Sequence, residues 1–292
     1  MEIIIQQLIN AVQLGAVYAL IALGYSMVYG IIRLINFAHG DIFMVGAFIG
    51  FLLAVKFKLP FVFILLLTMF LTALLGIAIE RIAYHKLRNA HRMSLVITAL
   101  GVGTFLENLV RLAVGPQTRQ IPAQLSNNIL HLTNGIVVTE DKLLIIGISI
   151  MLMIVLWLFV NKTLIGKAMR AVADNIDVVP LMGINVDMIV SVTFAIGSAL
   201  AAAGGIFFGQ SYSIEPYMGI DLGWKAFIAA VVGGIGSIEG AVVGSFILAG
   251  IEVFTVAYLS SNLKNGIAFA LLIILLVIWP YGIMGKPSLK KV

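Results

Sequence analysis

The chain has 292 residues, 61% hydrophobic and 11% charged, with a mean hydropathy of +1.12. A soluble domain carries about 25% charged residues, so a water-solvated globule is excluded and lipid must face most of the surface. Lys and Arg number 18 against 13 acids, a net charge of +5. That fits basic membrane-flanking loops, not a nucleic-acid partner, since no basic run is interleaved with aromatics. The absence of cysteine excludes disulfides and thiolate metal sites.

A spanning helix needs about 20 mostly apolar residues to cross a hydrocarbon core about 30 Å thick. Ile3 to Ile32 is uncharged, follows Glu2 and precedes the first basic residue, Arg33. It lacks the positive leader of a signal peptide and reads as a retained span. Ile42 to Val55 is a short apolar stretch between Asp41 and Lys56, and Leu59 to Ile79 is a full span. Met93 to Leu106 runs into Glu107, Asn108 and Arg111, which predicts a short or partly polar helix. Leu143 to Asn161 and Met188 to Ile214 are full spans. Ala226 to Ile238 stops at Glu239, Gly240 to Leu263 contains Glu252, and Asn265 to Gly285 completes the series.

Broken spans survive only where protein or a water-filled cavity covers them, and they point to a transport pathway. The pattern therefore predicts an all-α polytopic bundle, one transmembrane domain over 1–292. It has about eight to ten helices, discontinuous short spans and internal pseudo-symmetry. The symmetry signal is an echo between Asn36-Phe37-Ala38-His39-Gly40-Asp41 and the stretch Gly233 to Gly240; a chance echo in a glycine-rich chain is the alternative. Arg81, Lys86, Arg88 and Arg92, then Lys162, Lys167 and Arg170, then Lys286, Lys290 and Lys291 assign three segments to the cytoplasm. About nine crossings follow, with an external N-terminus. Lys56 and Lys58 break that pattern.

The loop from Thr163 to Asn185 has two faces. Ile165, Ala168, Met169, Val172, Ile176 and Val179 recur at helical spacing, with Lys167, Arg170, Asp174 and Asp177 opposite. Pro180 is predicted to stop this helix near Val179, and Gly183 permits a turn. Such a helix either docks into a partner's groove or lies flat on the bilayer. Asp41 either caps the following helix or, with Asn36 and His39, gates the cytoplasmic mouth. The four histidines show no i, i+4 pair, so a metal site is not expected. Glu107 and Arg111 share a helix face, as a functional intramembrane pair or as one that snorkels to the interface. Glu239 reads as a turn residue, and Glu252 as facing the bundle interior, because its lipid side is costly. Gly197, Ala201 and Gly205, then Gly236, Gly240 and Gly244, and Gly46 with Gly50 mark close helix packing.

The Asn36 to Asp41 stretch, Gly166-x3-Arg170-Ala171-x3-Asn175, Gly183-Ile184-Asn185, Gly204-Gly205 and Gly233-Gly234-Ile235-Gly236-Ser237 together resemble the permease subunits of the branched-chain amino-acid ABC importers. The resemblance covers nearly the whole chain. It implies a second related permease, two cytoplasmic ABC ATPases and an extracytoplasmic solute-binding protein, in a bacterial or archaeal cytoplasmic membrane. It also implies that 161–187 is the ATPase-coupling loop, with Gly166, Arg170, Asp174, Asn175 and Gly183 as its key residues. Asn36, His39, Asp41, Glu107, Asn108, Glu239 and Glu252 are the candidates for the translocation path or its gate. No cofactor, metal ligand or catalytic residue is expected. Gly166-Lys167 and Gly285-Lys286 lack the phosphate-loop spacing, so ATP hydrolysis is assigned to another chain. Urea or short amides as solute, a stand-alone secondary transporter, and a non-transporting scaffold are the alternatives.

Overall fold

A computed structural model describes residues 2–88, 90–122, 125, 128–133 and 136–285. The basic tail residues Lys286, Lys290 and Lys291 lie outside the described residues. The chain runs through α1 (Glu2–Ile32), α2 (His39–Leu52), α3 (Phe61–Ile79), α4 (Arg92–Val114), α5 (Glu140–Lys162) and α6 (Leu164–Asp174). It continues through α7 (Val186–Ser211), α8 (Met218–Gly233), α9 (Ile238–Tyr258) and α10 (Lys264–Ile278). A π-helical turn extends α2 over Leu53–Phe57, and a π turn with a 3-10 turn carries α3 on to Leu87. A small antiparallel ribbon, β1 (Ile129–Thr133) and β2 (Ile136–Thr139), lies between α4 and α5, with Ile129 opposite Thr139.

Eight of these helical stretches are long and apolar enough to span a bilayer. Helix α8 is not among them: its 16 residues reach about 24 Å at 1.5 Å per residue. It is too short for the hydrocarbon core and is sheltered instead, packing along α9, α2 and α1. The most enclosed helices are α1 and α7, each 78% buried over its apolar window. The least enclosed, α4, α5 and α10, expose Leu112, Ile154 and Val277, as a lipid-solvated rim should.

The bundle carries a pseudo-two-fold in which the second half is inverted. Helix α1 packs along α9 as α7 packs along α3; α2 lies on α7 as α8 lies on α1; α4 covers α2 as α10 covers α8. The halves touch closely where α1 meets α7, with Gly24 against Gly197, and where α2 meets α8, with Gly40 against its own counterpart Gly219. A β-carbon on Gly40 would collide with the Gly219 carbonyl oxygen, so only a residue without a side chain lets the backbones cross there. The two short helices also match in sequence from their first residues. His39-Gly40-x6-Ala47-Phe48-Ile49 in α2 corresponds to Met218-Gly219-x6-Ala226-Phe227-Ile228 in α8.

The structure corrects three expectations and decides a fourth. The counterpart of Asn36 to Asp41 is the Glu215 to Ile220 stretch; the Gly233 to Gly240 turn instead joins α8 to α9. Helix α4 is partly polar but not short, running on through Glu107, Asn108 and Arg111 to Val114. Helix α6 ends at Asp174, five residues before Val179, and Pro180 sits in a separate 3-10 turn, Val179–Met182. Asp41 is not a cap: α2 starts at His39, its N-cap is Ala38, and no side chain caps it.

Candidate functional site

Two chambers flank α8, separated by the ridge of Ile220 and Trp224 that lines both. The first, of about 160 Å³, lies where α2 and α8 cross beneath α4. Asp41 reaches it from the first turn of α2, Glu107 from the middle of α4, and Tyr25 from α1. Gly103 lies against Asp41, because a β-carbon there would fill the carboxylate's place. Phe37, Trp224 and Phe227 form the opposite wall with ring centroids 5.5 to 6.0 Å apart, and Tyr25 stands 6.0 Å from Phe227. Asp41 is 6% and Glu107 7% exposed, and the Asp41 Oδ1 takes no hydrogen bond.

The second chamber, of about 300 Å³, lies between α8 and α10 and holds Asp221, Lys225 and Asn265 among apolar side chains. Lys225 Nζ donates to Glu252 Oε1 at 2.7 Å, Tyr18 Oη donates to Glu252 Oε2 at 2.9 Å, and Lys225 also pairs with Asp221 at 3.2 Å. Lys225 and Glu252 are 4% and 6% exposed. Charges inside a membrane protein persist when paired in its interior, and here three helices, α1, α8 and α9, share one network.

At the opposite end of α5 from the ribbon, the 161–187 segment is built from local geometry. Thr163 caps α6 by accepting from Gly166 N at 3.0 Å. Gly166 packs directly on the Phe159 and Val160 carbonyls that end α5. Arg170 turns back to donate to the Val160 carbonyl, so it closes the end of α5. Ile165, Ala168, Met169 and Val172 face the bundle, while Lys167, Arg170, Asp174 and Asp177 face out, as the two-faced pattern predicts. Ile176 departs from it and is exposed. Asn175 Oδ1 accepts from Asp177 N at 3.1 Å, and Gly183 ends the 3-10 turn at φ +77°. That turn projects Leu181 and Met182, 87% and 70% exposed.

The exit of this segment is tied to α3. Arg88 pairs with the fully buried Glu80 and, at 2.5 Å, with Asp187 in the first turn of α7. Ser191 donates to the other Glu80 oxygen at 2.6 Å. The planar guanidinium thus bridges the strut after α3 to the first turn of α7, where the 161–187 segment ends.

Of the predicted path residues, the structure brings only Asp41 and Glu107 together. Asn36 is buried and structural: its Oδ1 accepts from Tyr84 Oη at 2.7 Å and from Ala38 N. His39 packs edge-on against Tyr25, its ring over Gly24. Asn108 faces outward and bonds the Thr104 carbonyl. Arg111 does not pair with Glu107; it donates to Asn108 at 3.3 Å and lies over the Tyr217 ring. Glu239 is exposed in the first turn of α9 and accepts from Trp157 Nε1, outside both chambers. Glu252 faces inward as expected. Sequence reasoning missed Lys225, which interrupts an apolar run, and the Glu80–Arg88–Asp187 triad. It also missed the Gly-x6-Ala-Phe-Ile repeat, the signal that would have found α8. Among the described residues no group of three His, Asp or Glu is placed to hold a metal ion.

Residues 7–277 match the family described as the permease component of the branched-chain amino acid transport system. The chain is 40% identical over 300 aligned positions to the high-affinity branched-chain amino acid transport system permease protein LivH of Escherichia coli (strain K12), covering 99% of this chain and 97% of that one. It is equally, 40%, identical to the permease protein BraD of Pseudomonas aeruginosa, covering 99% and 98%. Among solved structures, PsaBC from Streptococcus pneumoniae in complex with Fab superposes with a TM-score of 0.52 at 13% identity, over 94% of this chain and 91% of that chain. That likeness concerns the fold alone.

Proposed function

The chain belongs to the family of branched-chain amino acid transport permease components, and from that premise we propose that it is the membrane-spanning subunit of an ATP-driven importer of branched-chain amino acids in the cytoplasmic membrane. The observation that carries the reading is the near full-length identity to permeases named as high-affinity carriers of that solute class. The two chambers beside α8 support it physically, since they hold charged groups sheltered inside the bundle, where intramembrane charges mark a solute pathway. A second, related permease completes the conduit in this reading.

In this reading two separate ATPase subunits supply the energy, and an extracytoplasmic binding protein delivers the solute. The segment 161–187 is the coupling element. Its support is mechanical: α6 is clamped to α5 through Arg170 and Gly166, the Leu181–Met182 knob offers an apolar docking surface, and Asp187 is latched to α3 through Arg88. Force applied at the knob passes to α7, which lies on the pseudo-axis, and alternating access follows as rocking of one inverted half against the other. Asp41 and Glu107 line the path; Gly166, Arg170, Asp174, Asn175 and Gly183 shape the coupling segment.

The test is uptake of radiolabelled leucine into proteoliposomes. The chain assembled with its companion permease, ATPases and binding protein is expected to accumulate leucine only with ATP inside the vesicle compartment that holds the ATPases. Uptake by this chain alone, without ATPases, would refute the proposal.

A further inference from the structure

Asp41 and Glu107 present an unusual balance of charge. Both are more than nine-tenths buried, they converge within hydrogen-bonding reach on one chamber, and Asp41 Oδ1 has no donor. Among the described residues no lysine or arginine comes within 4 Å of either carboxylate. The nearest candidates are engaged elsewhere: Arg111 with Asn108 and the Tyr217 ring, Lys225 with Glu252 and Asp221 across the Ile220–Trp224 ridge. Carboxylates this close share one proton, which leaves a single buried negative charge with only the distant attraction of Arg111, so the chamber suits a cation that arrives from outside the chain.

The walls say which kind. Tyr25, Phe37, Trp224 and Phe227 surround the carboxylates with aromatic faces, the arrangement that attracts an ammonium through the ring quadrupoles. A hard metal ion would need about six oxygen ligands, and no third carboxylate or histidine joins the pair. A volume of about 160 Å³ is close to that of a cavity of about 150 Å³ that accepts benzene, enough for an ammonium with a branched apolar substituent. We infer that the chamber between α2, α4 and α8 is a binding site for a primary ammonium group carrying a small branched hydrocarbon, held by Asp41 and Glu107 and boxed by Trp224, Phe37 and Phe227. This rests on the importer reading, in which that group is the α-ammonium of the passing amino acid.

Three compounds sharing one isobutyl group separate the chemistry: leucine, isopentylamine without the carboxylate, and 4-methylpentanoate without the amine. The full chain is placed in lipid nanodiscs with Trp157→Phe and Trp279→Phe, leaving Trp224 in the chamber wall as the reporter. Leucine and isopentylamine are expected to shift Trp224 emission saturably, and 4-methylpentanoate at the same concentrations is not. Asp41→Asn and Glu107→Gln are each expected to raise the half-saturating amine concentration at least tenfold. Equal responses to the amine and the acid, or no saturable response to either, overturn the inference in the parent chain whatever the variants do. Amine affinity unchanged in both variants overturns it as well. Leucine uptake by the assembled complex without amine selectivity here sinks this inference alone; amine selectivity without any leucine uptake sinks the importer reading alone.

Discussion

Replacing Lys225 by methionine tests whether the intramembrane network is held by charge. The ammonium is 4% exposed and lies 2.7 Å from Glu252, itself 6% exposed. Breaking one partner of a buried pair costs about 3–5 kcal/mol, because the other charge is left without compensation. The Tyr18 hydroxyl still donates to Glu252, which places Lys225→Met near the lower end, about 3 kcal/mol. At about 2 °C per kcal/mol for a long chain, the melting temperature should fall by about 6 °C. Glu252→Gln should cost less, since Asp221 remains 3.2 Å from the lysine and is half exposed. The double variant, Lys225→Met with Glu252→Gln, carries no buried charge and should be more stable than Lys225→Met alone. The chain has no cysteine, so unfolding is best followed by intrinsic tryptophan fluorescence in detergent or nanodiscs, scanning all four proteins. A coupling energy of about 2 kcal/mol or more is expected, the range found for residues in one network. Strictly additive losses in the double variant would show that the two groups do not compensate each other.

Arg88→Ala should destabilise the chain by about 3 kcal/mol, because it strands the Glu80 carboxylate in the interior; a thermal scan in which Arg88→Ala melts with the parent would contradict the buried bridge. Gly40→Val should abolish a monodisperse folded species on size-exclusion chromatography, since its side chain meets the Gly219 backbone and nothing flexible can yield. Gly183→Ala meets open space and pays only for its left-handed backbone, about 1–2 kcal/mol. In the assembled complex it should raise the ATP hydrolysed per leucine taken up, and Arg170→Ala should do the same by freeing α6 from α5. A parental ratio in both variants would remove 161–187 from the coupling role.

Most of the scaffold was legible because apolar run length is a direct consequence of bilayer thickness. Ile3 to Ile32, Leu59 to Ile79 and Leu143 to Asn161 each became a helix within a few residues of the expected bounds. The two-faced helix α6 was equally readable, since its period is local. Polar residues misled where their partners are distant in sequence. Glu107 read as half of a pair with Arg111, yet the group that shares its chamber is Asp41, 66 positions away by sequence number. Lys225 hid the first half of α8, so that the expected stretch began only at Ala226, for its acceptor Glu252 lies on the next helix and Tyr18 on the first. The ribbon of Ile129–Thr133 and Ile136–Thr139 escaped notice because its strands are only five and four residues long, too short for the inward alternation of Ile136 and Val138 to stand out.

The pairing of α2 with α8 has a last consequence. Position for position, Gly46 stands where Lys225 stands, Asp41 where Ile220 does, and Ile42 where Asp221 does. Duplicated backbones therefore carry unlike polarity: acids alone on one flank of α8, acid and base together on the other. On the proposed path, a traveller moving between these flanks would leave one electrical landscape for another, so direction would be written into side chains that the architecture itself leaves impartial.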